Sequence, residues 1–433
     1  MQRILSSQLA THVGERVTIA GWAHRRRLLK SVAFLIVRDR AGLAQVVVAE
    51  PATRDLMEKL TEETIVEVEG EVVANAAAPA GVELINPVVR APHGAAASPP
   101  FDLYRPQLTA TLPTMLDHAA VALRHAPRQQ AFRLSAAAVA GFRASLDADG
   151  FVEVHTPKVV ASATESGANV FSLDWFGRPA YLAQSPQFYK QTLVGVFERV
   201  YEVGPVFRAE PHDTVRHLAQ YTSLDVELGF IRDHRDVMRV LRTVLAAMTA
   251  SVAQREPGAV AALGLSLPEV PRTIPEVHFA DALALVGAAL GEDLSAEPDL
   301  APAHERWLGE WARREHGSDF LFVTGYPMAK RPFYTHPDPA RPAYSNGFDL
   351  LFRGIELVTG GQRLHRYEDY VAALAAAGEP LEPYESYVEV FRHGMPPHGG
   401  FAIGLERFMM RLLAATNVRE VTLFPRDLHR LTP

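Results

Sequence analysis

The first ninety residues follow a different pattern from the rest of the chain, and that break constrains the fold most. Val17 to Trp22, Phe34 to Val37, Ala44 to Val48, Ile65 to Val73 and Val82 to Val89 are short runs rich in β-branched residues, which fit a pleated, half-buried surface. Asp39-Arg40-Ala41-Gly42 places a turn between the second and third runs. Five such strands within residues 1–90 suit a small closed barrel of the oligonucleotide-binding type. A generic five-stranded barrel fits the same pattern, because fold does not fix function. Residues 91–126, with Ala91-Pro92-His93-Gly94 and Ser98-Pro99-Pro100, break regular structure and read as a hinge. From residue 127 to 433 strands and helices mix. Leu134, Ala138, Phe142 and Leu146 recur at spacing four, one face of a helix. Gly150 stops that helix, and Phe151 to Val154 reads as a strand running into Thr156-Pro157. Residues from about 251 to 320 are rich in Ala, Leu and Glu and carry no chemical constellation; they read as a helical insertion.

Composition narrows the chemistry. The chain has 433 residues and no cysteine, which excludes disulfides, thiolate zinc sites and cysteine nucleophiles. A formal charge of -7 argues against indiscriminate nucleic-acid binding but leaves room for a local basic face. No run of about eighteen apolar residues occurs, and Met1-Gln2-Arg3-Ile4 opens no apolar leader, so the expectation is a cytoplasmic enzyme without a membrane span.

Four segments carry charge in a pattern that suits a nucleotide: Val206-Phe207-Arg208-Ala209-Glu210, Arg216-His217-Leu218, Gly354-Ile355-Glu356-Leu357 and Gly404-Leu405-Glu406-Arg407. Arginine holds phosphate oxygens with a planar fork and never deprotonates. No Gly-x-x-x-x-Gly-Lys-Ser/Thr loop is present to do the same with backbone amides. Leu405, Phe408, Met409, Leu412 and Leu413 form an apolar stripe that excludes Arg407, and Gly399 to Gly404 is small enough for close approach of backbone to a ligand. Activating a carboxylate with ATP needs only such positioning and charge, since the carboxylate is its own nucleophile.

In this order the segments resemble motifs two and three of the class II aminoacyl-tRNA synthetases, and the 134–157 unit resembles motif one, which builds that family's dimer interface. The resemblance implies an α+β fold: an N-terminal five-stranded barrel and an antiparallel-sheet catalytic domain flanked by helices. It implies ATP and Mg2+ at one site. Arg208 would contact the α-phosphate, with Ala209 beside it; Glu210 would hold the adenine amino group; Arg216, His217 and Leu218 would cover the nucleotide; and Tyr221 would stack on adenine. Gly404, Leu405 and Glu406 would line the far end, where Arg407 binds the last phosphate. Glu356 matches a magnesium-binding acid, and Thr359 stands where serine is common, keeping a hydroxyl.

Further segments narrow the resemblance to archaeal-type aspartyl-tRNA synthetases: Thr164-Glu165-Ser166-Gly167-Ala168, Gln184-Ser185-Pro186-Gln187-Phe188-Tyr189-Lys190, Gly360-Gly361-Gln362-Arg363, Gly394-Met395-Pro396-Pro397-His398-Gly399-Gly400 and Phe424-Pro425-Arg426-Asp427. Lys190 and Arg363 would read the aspartate side chain. Glu165 and Asp225 would take its ammonium, and Ser185 and Gln187 would orient it, with Phe188, Tyr189, Arg208 and Thr359 in the same set. Asparagine would leave those cations uncompensated. An asparaginyl-tRNA synthetase is the nearest alternative; an asparagine synthetase without a barrel and a non-enzymatic single-strand binder lie further off.

Arg25, Arg26, Arg27 and Lys30, followed by Arg38 and Arg40, make a basic run beside Trp22 and Phe34, suited to unpaired bases. By resemblance Phe34 is the stacking aromatic of an anticodon reader and Gln45 faces the middle base. His24 replaces a tryptophan common in enzymes that charge aspartate tRNA alone, and the loop around Pro79 lacks their lysines. With Arg25, these residues mark the specificity region. The departures are read as relaxed discrimination: a homodimer that loads aspartate on both aspartate and asparagine tRNAs, with an amidotransferase as the downstream partner.

Overall fold

The computed structural model describes residues 2–162 and 169–433, which divide into two compact units, Met1–Ala126 and Pro127–Pro433. In the first, β1 (Arg3–Ile4) lies parallel to β2 (Arg16–Leu28). β2, β3 (Ala33–Arg38), β4 (Leu43–Val48), β5 (Ile65–Ala74) and β6 (Val82–Arg90) pair in the order β2-β3-β4-β6-β5, and β5 returns to β2. The five strands therefore close into a barrel. Alternation decides its interior: Val17 and Ile19, Leu35 and Val37, Val46 and Val48, Val66 and Val68, and Leu84 point inward, joined by Met57 from α1 (Pro51–Lys59). Residues 91–126 carry two short helices, α2 (Leu112–Asp117) and α3 (Ala119–Ala122), and cluster with this unit.

The second unit starts with α4 (Ala126–Ala148) and the short β7 (Val152–Glu153). A small antiparallel sheet of β8 (Val159–Val160), β9 (Ser172–Trp175) and β10 (Arg178–Leu182) precedes α5 (Gln187–Phe197), and β11 (Arg199–Phe207) and β12 (Gln220–Gly229) follow. Next come α6 (His234–Arg255), α7 (Pro257–Ala262), β13 (Glu276–His278), α8 (Phe279–Leu290), α9 (Pro302–His316) and β14 (Phe320–Thr324). β15 (Gly347–Phe352), β16 (Ile355–Gln362), α10 (Tyr367–Ala377), α11 (Glu385–Val388), β17 (His398–Gly404) and α12 (Leu405–Leu412) complete it. Among the described residues the main sheet has eight strands, ordered β13-β14-β15-β16-β17-β12-β11-β7. The expected sheet was antiparallel; the observed one is mixed, because β7 and β13 pair in parallel with β11 and β14 at the two edges. The segment read as a helical insertion thus also supplies an edge strand.

Strand alternation gives this sheet two unlike faces. Leu224, Val226 and Leu228 of β12, Phe401 and Ile403 of β17, and Phe348 and Leu350 of β15 join the core formed with α4 and α6. Those two helices pack closely at Gly141, where a Cβ would stand 2.5 Å from the Ala247 carbonyl oxygen. Ser223, Asp225 and Glu227 occupy the alternate positions of β12 and so take the other face. Lateral register lines them up there: Asp225 is opposite Ala402, which is opposite Thr359, which is opposite Asp349. Glu227 is opposite Gly400, then Gly361, then Gly347.

Candidate active site

A cleft of ≈ 350 Å³ opens on the polar face. Arg208, Glu210, Arg216, His217, Leu218 and Tyr221 line it from β11, β12 and the turn between them, and Glu356, Thr359, Gly404, Glu406 and Arg407 line it from β16, β17 and α12. Arg208 and Arg407, far apart in sequence, therefore meet in one cavity. Antiparallel pairing does this: Phe207 is opposite Gln220, Ser223 opposite Gly404 and Thr359 opposite Ala402. Arg208 lies with its guanidinium carbon 5.9 Å from the Tyr221 ring centre.

Arg407 Nη1 donates to the Glu356 carbonyl at 3.1 Å and stands 3.5 Å from Oε1, and the Thr359 hydroxyl donates to that same carboxylate oxygen at 3.4 Å. Partial desolvation opposes ionisation of Glu356, whose side chain is still 40% exposed, yet Arg407, Arg331, Arg208 and Arg216 hold its carboxyl below the usual range. His217 is pushed down to about 4 by burial and then by Arg407 and Arg216, so its imidazole is neutral at physiological pH. One expected lining residue turns elsewhere, Leu405, which packs into the hydrophobic core; the Ala209 backbone amide donates to the Asn169 carbonyl. Glu406 reaches the cleft wall, but its buried carboxylate accepts the Thr222 amide at 3.0 and 3.1 Å and ties α12 to β12.

Beside the cleft runs a buried charge chain. Ser223, on the cleft wall, donates to Asp225 Oδ2 at 2.5 Å. Lys190 Nζ, from α5, donates to Asp225 Oδ1 at 3.0 Å and stands 3.3 Å from Glu227 Oε2. Arg363 Nε donates to Glu227 Oε1 at 3.0 Å, and Nη2 to the Gly400 carbonyl at 3.1 Å. The Lys190 and Glu227 side chains are 2% and 0% exposed. A Cβ at Gly400 would sit 2.1 Å from both Glu227 Oε2 and the Val226 carbonyl oxygen. Glycine here leaves room for that carboxylate and for the neighbouring strand backbone. Although burial works against it, Arg363 and Lys190 hold Glu227 below its ordinary range.

The Gln187 backbone N–H donates to Ser185 Oγ at 3.3 Å, and the side-chain Nε2 of Gln187 is buried with no hydrogen-bond partner among the described residues. Burial raises the Tyr189 phenol. Phe188, expected with the aspartate set, packs instead in an aromatic cluster, stacked 4.1 Å from Tyr387. Glu165 lies outside the described residues.

Sequence reading missed Glu227, Glu305, Asp349 and Arg331. Glu227 could have been found, since it shares the face of Asp225 two residues away on one strand. Glu305, on α9, accepts Arg216 Nη1 at 3.1 and 3.2 Å and the Glu356 amide at 2.9 Å. Asp349 accepts Arg331 Nη2 at 3.2 Å; burial pushes its carboxyl up to about 6 against the pull of Arg331. Nothing local in the sequence marked these three.

On the barrel, Arg27 lies 5.2 Å over the Phe34 ring and donates to Gln45 Oε1 at 3.3 Å, and Gln45 Nε2 donates to Glu83 at 2.8 Å. Arg25 lies 4.3 Å over Tyr104. Arg38, read as part of the basic run, is buried against Glu63 at 2.6 Å and Trp22. His24 is also buried, at the register shift between Ala23 and Arg25, and burial, then Arg38, lowers its imidazole. Pro79 opens the single turn Pro79–Gly81.

A family model described as tRNA synthetases class II (D, K and N) matches residues 111–428. The chain belongs to the class II aminoacyl-tRNA synthetases. Residues 17–91 of this synthetase match a second model, an OB-fold nucleic acid binding domain. The synthetase is 45% identical over 431 residues to the aspartate–tRNA(Asp/Asn) ligase of Thermus thermophilus, covering 100% of both chains. It is 44% identical over 438 residues to the protein of the same name from Deinococcus radiodurans, covering 100% of this chain and 99% of that one. Among solved structures it is similar to the asparaginyl-tRNA synthetase of Pyrococcus horikoshii complexed with asparaginyl-adenylate, with a TM-score of 0.93, 28% identity and 100% of each chain covered.

Proposed function

We propose that the synthetase is an aspartate–tRNA ligase that forms aspartyl-adenylate from L-aspartate and ATP and passes the aspartyl group to the tRNA terminal ribose. The observation that carries this reading is the cleft shared by Arg208 and Arg407, next to a buried lysine and arginine held ready by Glu227. In the first step the α-carboxylate oxygen of aspartate attacks the α-phosphorus and pyrophosphate leaves. Arg208 steadies charge at the α-phosphate, Tyr221 and Glu210 hold adenine, and Arg407 and Arg216 grip the far phosphates. In the second step a ribose hydroxyl attacks the mixed anhydride and AMP departs.

Lys190 and Arg363, held in place by Glu227, read the side-chain carboxylate with charge-assisted hydrogen bonds. Asp225 faces the ammonium, and the unpartnered Gln187 amide offers a donor to the substrate. Asparagine offers these two donors a neutral amide in place of a charge-assisted carboxylate acceptor. The asparaginyl alternative is less favoured for that reason, and because the relatives at 45% and 44% identity bear aspartate names.

The donors present fit magnesium. Among the described residues no three His, Asp or Glu side chains are grouped to hold a metal. Glu356 and Thr359 offer hard oxygens to an ion that would take its remaining ligands from phosphate and water, the usual magnesium pattern. Such an ion would offset charge between the phosphates.

The reading extends to the barrel as anticodon reader, to a homodimer in the cytoplasm, and to relaxed tRNA choice with an amidotransferase downstream. The name shared by the two relatives, aspartate–tRNA(Asp/Asn) ligase, supports that breadth. Charging purified asparagine tRNA with labelled aspartate tests it. Aspartyl-tRNA at a level comparable to aspartate tRNA is expected; negligible charging, where aspartate tRNA is saturated, leaves only the strict enzyme.

A further inference from the structure

Glu305 sits in the segment that carried no recognisable chemistry in the sequence, yet it stands at the phosphate end of the cleft. Its side chain is 5% exposed. Both carboxylate oxygens take Arg216 Nη1, and Oε2 also accepts the backbone amide of Glu356. Glu356 in turn fixes Arg407 through its carbonyl, at 3.1 Å. One carboxylate on α9 therefore links two arginines that line the cleft, Arg216 directly and Arg407 through the backbone of one residue, Glu356. A buried carboxylate is costly to retain unless its partners repay the lost hydration. First-turn placement on α9 favours a negative charge but does not account for a cation and an amide converging on it.

We infer that Glu305 is a positioning residue for ATP, pre-ordering Arg216 and the Glu356–Arg407 unit at the phosphate end. A free arginine side chain loses rotamer freedom when it grips a phosphate. One already held in place binds more tightly because that loss has been met in advance. The inference rests on the ATP reading of the cleft.

Glu305→Gln separates the roles, since an amide oxygen can still accept the Glu356 N–H while the charge that holds Arg216 is gone. Aspartate-dependent ATP–pyrophosphate exchange on the full-length protein is the readout, with Arg407→Ala measured in parallel. Glu305→Gln is expected to raise the KM for ATP about tenfold, with kcat, the KM for aspartate and the thermal midpoint close to wild type. Glu305→Asp should recover part of the loss. If Arg407→Ala raises the KM for ATP and Glu305→Gln does not, the positioning role is overturned and the ATP cleft stands. If neither variant raises it, the ATP reading falls and this inference with it. A Glu305→Gln variant that loses ATP and aspartate binding together with thermal stability is a merely structural one, which also overturns the assignment.

Discussion

Lys190 Nζ stands 3.3 Å from Glu227 Oε2 with both side chains enclosed, and Arg363 meets the other oxygen of the same carboxylate at 3.0 Å. A carboxylate so flanked keeps two cations oriented before any substrate arrives. Preorganisation of this kind moves much of the cost of selectivity into folding.

Removing the lysine should therefore be felt in two separable ways. Lys190→Met should raise the KM for aspartate about a hundredfold or more in ATP–pyrophosphate exchange while the KM for ATP stays within about twofold, since a charged partner is lost only on the amino-acid side. It should also lower stability by about 3–5 kcal/mol, the usual cost of breaking a buried ion pair from one side, read from urea unfolding. Unchanged exchange kinetics would remove Lys190 from the pocket.

Arg407→Ala should act on the opposite substrate. Arg407 touches Glu356 and the cleft but none of Asp225, Glu227 or Arg363 in the contacts it makes. The KM for ATP should rise at least about tenfold, with the KM for aspartate little changed. Equal losses for both substrates would mean that the two halves of the site are not separable.

The barrel strands and the arginine signatures were legible because both are local: β-branched alternation sets the strands, and Arg208 and Arg407 each sit in short recognisable segments. The charge network was not legible. Glu305 and Asp349 gain meaning only when sheet register and helix packing bring distant chain together, as when Asp349 falls opposite Thr359. Arg38 misled because composition does not say which side of a strand is enclosed; it pairs with Glu63 inside its unit. Gly400 was noticed for its smallness, but only the fold shows what crowds it, the Glu227 carboxylate and the Val226 carbonyl.

Acid sensitivity should follow from His398. It is fully buried on β17 between the Pro396 carbonyl and Gln191 Oε1, and burial pushes its imidazole down to about 4. The folded pKa lies below the unfolded one, so the unfolded chain binds the proton first. The stability contribution is complete above about pH 6.5 and is lost as pH falls toward 4. Urea midpoints measured from pH 7 to 4.5 should decline, and His398→Gln should show a shallower decline. Identical slopes in the two proteins would assign the acid sensitivity to other groups.

The Arg27–Phe34–Gln45 patch should matter to tRNA alone. Phe34→Ala is expected to weaken tRNA binding by about 1–3 kcal/mol, the usual cost of losing one base-stacking contact, visible as a raised KM for tRNA in aminoacylation. Aspartate-dependent pyrophosphate exchange, which needs no tRNA, should be unaffected. A tRNA KM unchanged from wild type would place base recognition elsewhere on the barrel.

The most direct test is amino-acid-dependent ATP–pyrophosphate exchange on the purified protein, with aspartate and asparagine compared at matched concentrations. A side-chain carboxylate set against Lys190 and Arg363 predicts robust exchange with aspartate and little above background with asparagine. Exchange driven by asparagine, with aspartate inert, would contradict the account at its centre.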